Sequence, residues 1–141
     1  MSLEPLLRSS PEILIHAIAA MSALGLGVVQ LASPKGTQWH RRFGWAWVIL
    51  MAVVAISSLF VNTICTFGPF SFIHLLTLLT AVTLPLGVAA ARRGDIKRHS
   101  RAMITLFAGG LVIAGAFTFI PGRIMHDVAF GTASSHQRCW P

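Results

Sequence analysis

Four apolar stretches, residues 13–32, 43–62, 70–91 and 102–120, occupy most of the chain, and no Asp, Glu, Lys or Arg lies inside any of them. Each reaches the roughly 20 helical residues needed to cross the hydrocarbon core of a bilayer. Backbone amides in lipid must be satisfied within the spanning segment, and no period-2 alternation suggests a barrel, so all four are predicted as helices. The punctuation agrees. Ser9, Ser10 and Pro11 read as an N-cap and first-turn proline, Ser33-Pro34-Lys35-Gly36 as a stop, and Gly68-Pro69 and Arg93-Gly94-Asp95 as turns. Connectors this short make consecutive helices antiparallel neighbours. The predicted fold is therefore an all-α integral membrane protein, an up-down-up-down four-helix transmembrane bundle. Residues 121–131 are predicted to add a short C-terminal interfacial helix and 132–141 a tail, the whole chain forming one domain.

Composition narrows the class without changing the layout. Of 141 residues, 55% are hydrophobic and only 11% charged, against about a quarter charged in a soluble domain. A soluble, disordered or disulfide-scaffold protein is excluded. The net charge of +7 would suggest a nucleic-acid partner in a soluble chain, but its distribution argues otherwise. The first and third connectors and their flanks carry Lys35, Arg41, Arg42, Arg92, Arg93, Lys97, Arg98 and Arg101 against Asp95 alone. The opposite end, with both termini and the middle connector, carries Arg8, Arg123 and Arg138 against Glu4, Glu12 and Asp127. By the positive-inside rule the basic end is expected in the cytoplasm of a bacterial inner membrane, with both termini outside. Trp39, Trp45 and Trp47 near that end fit an aromatic belt, and the basic residues suit lipid phosphates rather than nucleic acid. A cleaved signal peptide is the rival reading of the first stretch. Its leader has one Arg and one Glu instead of a basic run, and its apolar run is long, so it is expected to be retained.

The candidate chemistry is histidine. His16 and His74 are placed one turn inside the terminal end of the first and third stretches, while His40 and His99 each stand three residues before the second and fourth. In this topology the first and third helices are diagonal, as are the second and fourth, so each pair faces itself across the bundle axis. Two imidazoles so placed can ligate a haem iron from both sides. The levels would lie roughly 20 to 25 Å apart. The strip His16, Ala20, Ala23, Gly27 and Gln30 offers room for a bulky ring, or for close helix packing. His16 and His74 sit in apolar helices, where a polar residue is functional by default. His40 and His99 belong to basic headgroup-level segments and fit solvated interfacial side chains equally well. If haem is held there, Arg41 and Arg101 could pair with its propionates.

Other features are weaker. Arg123, His126 and Asp127 could dock a donor, although an interfacial anchor is the simpler reading. Cys65 and Cys139 share the terminal side, where a disulfide could persist, and Met125, His126, His136 and Cys139 fit no closed metal motif. Pro85 could kink the third helix. Hydrolase, NTPase and dinucleotide fingerprints are missing from the sequence.

Several runs together are distinctive: Lys35-Gly36-Thr37 leading to His40-Arg41-Arg42-Phe43-Gly44-Trp45, then Phe70-Ser71-Phe72-Ile73-His74-Leu75-Leu76, Arg92-Arg93-Gly94-Asp95 with His99, and Gly115-Ala116-Phe117-Thr118-Phe119-Ile120-Pro121-Gly122-Arg123. On these runs the chain resembles, from about the first helix to Gly131, the bacterial membrane-protein family catalogued as domain of unknown function 2306, which implies no settled activity. The histidine layout is separately similar to di-haem transmembrane cytochromes of the b-561 type. That likeness implies His16 with His74 for one haem b and His40 with His99 for the other. The chain departs from that pattern in placing His40 and His99 outside the apolar stretches. The expected function is a b-type cytochrome passing electrons across the bilayer between a quinone or soluble donor and an acceptor. The alternatives are an accessory subunit of a larger respiratory or photosynthetic complex, or a histidine-based proton or metal pathway. A homo-oligomer is compatible with each.

Overall fold

The computed structural model describes residues 11–60 and 72–118, with the side chains of 72–74 left aside. Within them stand four helices, each long and apolar enough to span a membrane: α1 Pro11–Ala32, α2 Gln38–Ser58, α3 Phe72–Arg92 and α4 Ile96–Phe117. There is no strand among the described residues. The expected interfacial helix, the tail, the middle connector, Cys65 and Cys139 lie outside them.

Two of the helices begin earlier than the apolar stretches suggest, because a helix starts where its first amides are capped and not where lipid begins. The Thr37 hydroxyl accepts from the backbone N–H of His40 at 3.1 Å, opening α2 five residues before Phe43. The Asp95 carboxylate accepts from the N–H of Arg98 at 3.0 Å and opens α4. His40 and His99 therefore occupy the first helical turns instead of preceding them. Gly36 at φ +83° and Gly94 at φ +76° make the reversals. Gly94 closes α3 in a Schellman motif, its N–H donating to the carbonyl of Ala91 and that of Asp95 to Ala90. One residue thus ends one cap and begins the next, which leaves α3 and α4 no choice but to fold back on each other.

Around the bundle, α1 packs on α2, α2 on α3, α3 on α4 and α4 back on α1, while the diagonals α1/α3 and α2/α4 make no backbone contact. The centre is filled by Ala23, Trp47, Met51, Leu84, Leu106 and Leu111. Ala23 is 0% exposed, Met51 and Leu106 1%. Trp47 corrects its place in the aromatic belt: it is buried, and its indole Nε1–H donates to the Ala23 carbonyl at 3.0 Å. The small-residue strip of α1 is used for close packing, since a Cβ on Gly27 would stand 2.6 Å from the Phe107 ring and 3.0 Å from Trp47 Nε1. The bulky rings admitted there are the chain's own. Helix α3 continues through Pro85. Helix α4 widens into a π-helical segment, Leu106–Ile113, that carries Gly110 past Met51 and Thr80.

The close approach at Gly27 is testable. Gly27→Ala should destabilise the bundle by about 1–3 kcal/mol through overpacking, read as a lower melting temperature in detergent. Phe107→Leu in the same chain should recover most of the loss. Gly25→Ala, whose Cβ meets open space, should be neutral or slightly stabilising.

Candidate functional site

Among the described residues polar side chains collect mainly at the two ends of the bundle, with Thr80 the buried polar residue near its middle. At the basic end, α2 contributes His40 and α4 contributes His99. The backbones of these diagonal helices stay apart, and the two imidazoles lie within electrostatic reach of each other, with Lys35 also close to His40. Nδ1 of His99 is 2.9 Å from the carbonyl oxygen of Gly87 on α3. A carbonyl can only accept, so Nδ1 carries a proton, and in the neutral imidazole the lone pair falls on Nε2. Gly87 allows this contact, because a Cβ there would collide with Met103 and meet Ala102 at 3.1 Å. Gln30 at the end of α1 closes the group, donating from Nε2 to the His40 carbonyl at 2.6 Å. Its Oε1 and the Nδ1 of His40 are both shut off from solvent with no hydrogen-bond partner.

At the other end, Nδ1 of His16 lies 3.0 Å from Ser57 Oγ. The serine spends its own proton on the carbonyls of Val53 at 2.7 Å and Val54 at 3.1 Å. It can therefore only accept from His16, which again fixes the ring proton on Nδ1. Beside this contact, Ser58 on α2 is hydrogen-bonded to Thr77 on α3 at 2.6 Å. The side chain of His74 lies outside the described residues, so the His16 and His74 pair is placed only by its helices, which stand on opposite corners.

Neither Ser57 nor Gly87 emerged as a partner from sequence, since a lone serine in an apolar run and a backbone carbonyl carry no motif. The arginines divide. Arg41 is exposed beside His40. Arg101 is exposed two residues after His99, about 200° around α4, and lines a groove on the outer face with Ile96, Lys97, Ser100, Ile104 and Thr105. It is not brought to the histidines. Arg42 instead lies 6.0 Å above the Trp39 ring, and Arg92 of α3 lies 5.7 Å above Trp45 of α2. Trp39 also stacks on Phe43 at 5.6 Å. These contacts form an aromatic and guanidinium rim at headgroup depth.

The donor set suits a group ligated by two imidazoles better than a closed ion site. Among the described residues no three His, Cys, Asp or Glu gather as metal donors. Nδ1 of His99 and of His16 is engaged by a protein group, as the outer-shell contact of a ligating imidazole would be, whereas Nδ1 of His40 is not. The orphaned Nδ1 of His40 and Oε1 of Gln30 mark a place where a polar group is wanting.

Neither a curated protein nor a solved structure matches the chain. A family model described as "Predicted membrane protein (DUF2306)" matches residues 13–134, which takes in all four helices. The chain belongs to that family.

Proposed function

We propose that this protein is a b-type cytochrome of the bacterial inner membrane that passes electrons across the bilayer. The observation that carries the reading is that His40 and His99, on diagonal helices whose backbones stay apart, lie within electrostatic reach of each other. In this reading His40 and His99 hold one haem b, and His16 and His74 hold a second. Haem supplies reversible one-electron chemistry of its iron. The chain supplies ligation, orientation and the exclusion of water. The Gly87 carbonyl and Ser57 hydroxyl hold their imidazoles in one tautomer and one rotation, as outer-shell partners of ligating histidines do. Arg41 and Arg101 remain the candidates for propionates, Arg41 next to His40 in sequence and Arg101 about 200° around α4 from His99.

Two further features favour electrons over the rival charge carriers. Among the described residues, those buried between the levels are Ala23, Trp47, Met51, Leu84, Leu106 and Leu111 with the hydroxyl of Thr80 beside them, and none of these titrates, which disfavours a relay of protons or metal ions. The basic end is the cytoplasmic one by the positive-inside rule, which puts both termini outside. A quinone or a soluble donor at one face and an acceptor at the other would complete the circuit, whether the chain works alone, as a homo-oligomer or within a larger complex.

Protein purified from a haem-replete culture should be red, with a Soret band that shifts on reduction. A colourless preparation overturns the reading and leaves the accessory-subunit role. His99→Ala should remove one of the two haem equivalents by pyridine haemochrome assay, and His16→Ala the other. Equal loss from substitutions on the lipid-facing surface would mean unfolding instead.

Ser57→Ala should loosen haem at the His16 level by about 10-fold or more, along with the stability lost with the α1–α2 link. Ser58→Ala, one residue on and facing Thr77, should cost stability without that spectral change.

A further inference from the structure

The outward face of α4 carries a feature unused by electron transfer. Ile96, Ser100 and Ile104 form one ridge at helical spacing, Lys97, Arg101 and Thr105 form the next, and together they line a shallow groove open along the outer face of this one helix. The groove is divided along its length. Lys97 and Arg101 stand in the first two turns, at the basic end. One turn deeper, Ile104 is 50% exposed on the way into the apolar part of the helix. Two cations one turn apart on the same face repel each other, and little on the chain offsets them. Asp95 is the single carboxylate at this end against eight Lys and Arg, and it is already engaged in capping α4 through the N–H of Arg98.

We propose that this groove binds an anionic phospholipid. Lys97, Ser100 and Arg101 hold the phosphate headgroup, and an acyl chain lies along Ile104. Charge complementarity selects the anion, because a zwitterionic lipid brings no net charge to two uncompensated cations. The apolar lower half selects a lipid over a free anion, because inorganic phosphate would use only the cationic half. A long cationic side chain with its stem on apolar surface and its head among phosphates is also the conformation the interface favours. The site stands on the face of α4 opposite His99, so it does not depend on whether the histidines hold haem.

The test uses the full chain in detergent micelles, titrated with phosphatidylglycerol or phosphatidylcholine and read by native mass spectrometry. Phosphatidylglycerol should be retained in preference to phosphatidylcholine. The pair Lys97→Gln and Arg101→Gln should weaken its binding roughly 10- to 30-fold, from about one lipid-phosphate attraction lost per cation. The pair Arg42→Gln and Arg93→Gln, which removes the same charge from the same end, should leave it unchanged. Equal weakening by both pairs would overturn the site in favour of diffuse attraction. Equal retention of phosphatidylcholine would also overturn it, as would displacement of the lipid by millimolar inorganic phosphate. Should the first pair fail to fold, Arg101→Gln alone is expected to cost about 5-fold, and no loss there would refute the assignment.

Discussion

Hydrocarbon offers no hydrogen-bond partner, and that single constraint organises this chain. Every polar group inside the spans has to be satisfied by another part of the same protein. Backbone amides achieve it by staying helical. The side chains that cannot do so alone become links between helices: His16 to Ser57 from α1 to α2, Ser58 to Thr77 from α2 to α3, His99 to the Gly87 carbonyl from α4 to α3, and Trp47 to the Ala23 carbonyl from α2 to α1. Lipid tails are as apolar as leucine, so the hydrophobic effect that assembles a soluble core contributes little to helix association here. Close packing at Ala23 and Gly27 and these few polar links carry it instead.

The links are not spread evenly, and their distribution gives the bundle its electrical character. Apart from the indole proton of Trp47 and the hydroxyl of Thr80, which is turned back on its own helix at the Leu76 carbonyl, the described middle is packed with Ala, Met and Leu, with the indole ring set between α1 and α2. Histidines lie beyond this packing at both ends. A packed apolar layer of this kind is a barrier to ions and to water-borne protons.

Much of this was legible from residue order. A charge-free stretch long enough to span, closed by Gly and Pro signals, leaves only a helix. Short connectors then leave only antiparallel neighbours, which dictates the diagonals. Depth matching follows from the same hairpins, because residues nearly equidistant from a turn face each other: Gln30 with His40 and Ala23 with Trp47 about the first connector, Gly87 with His99 about the third. That rule would also have brought Ser57 close to His16, had it been applied to hydroxyls. What could not be read were features set by a partner rather than by the residue. Hydropathy marks where a helix enters lipid, so it cut α2 and α4 short of their Thr37 and Asp95 caps. Trp47 has the same composition signature whether it faces headgroups or Ala23. The widened turn of α4 at Leu106–Ile113 reflects how that helix passes Met51 and Thr80, which no local propensity encodes. Arg101 lay near His99 in sequence, but two residues on a helix is nearly the opposite face.

The basic end holds the least settled hydrogen bonding in the molecule. His99 is held by a carbonyl that does not titrate and cannot be mutated away, and His16 by a hydroxyl with its own proton already committed. His40 has no such partner. Its Nδ1 and the Oε1 of Gln30 are buried and unpaired although the two residues are already joined through the Gln30 amide and the His40 carbonyl. Leaving such atoms unmatched costs about 1–3 kcal/mol each, a large sum for a bundle held by few polar links. The strain of hydrogen bonding in the described bundle is thus concentrated at its basic end, at the one of the three described imidazoles whose Nδ1 has no partner.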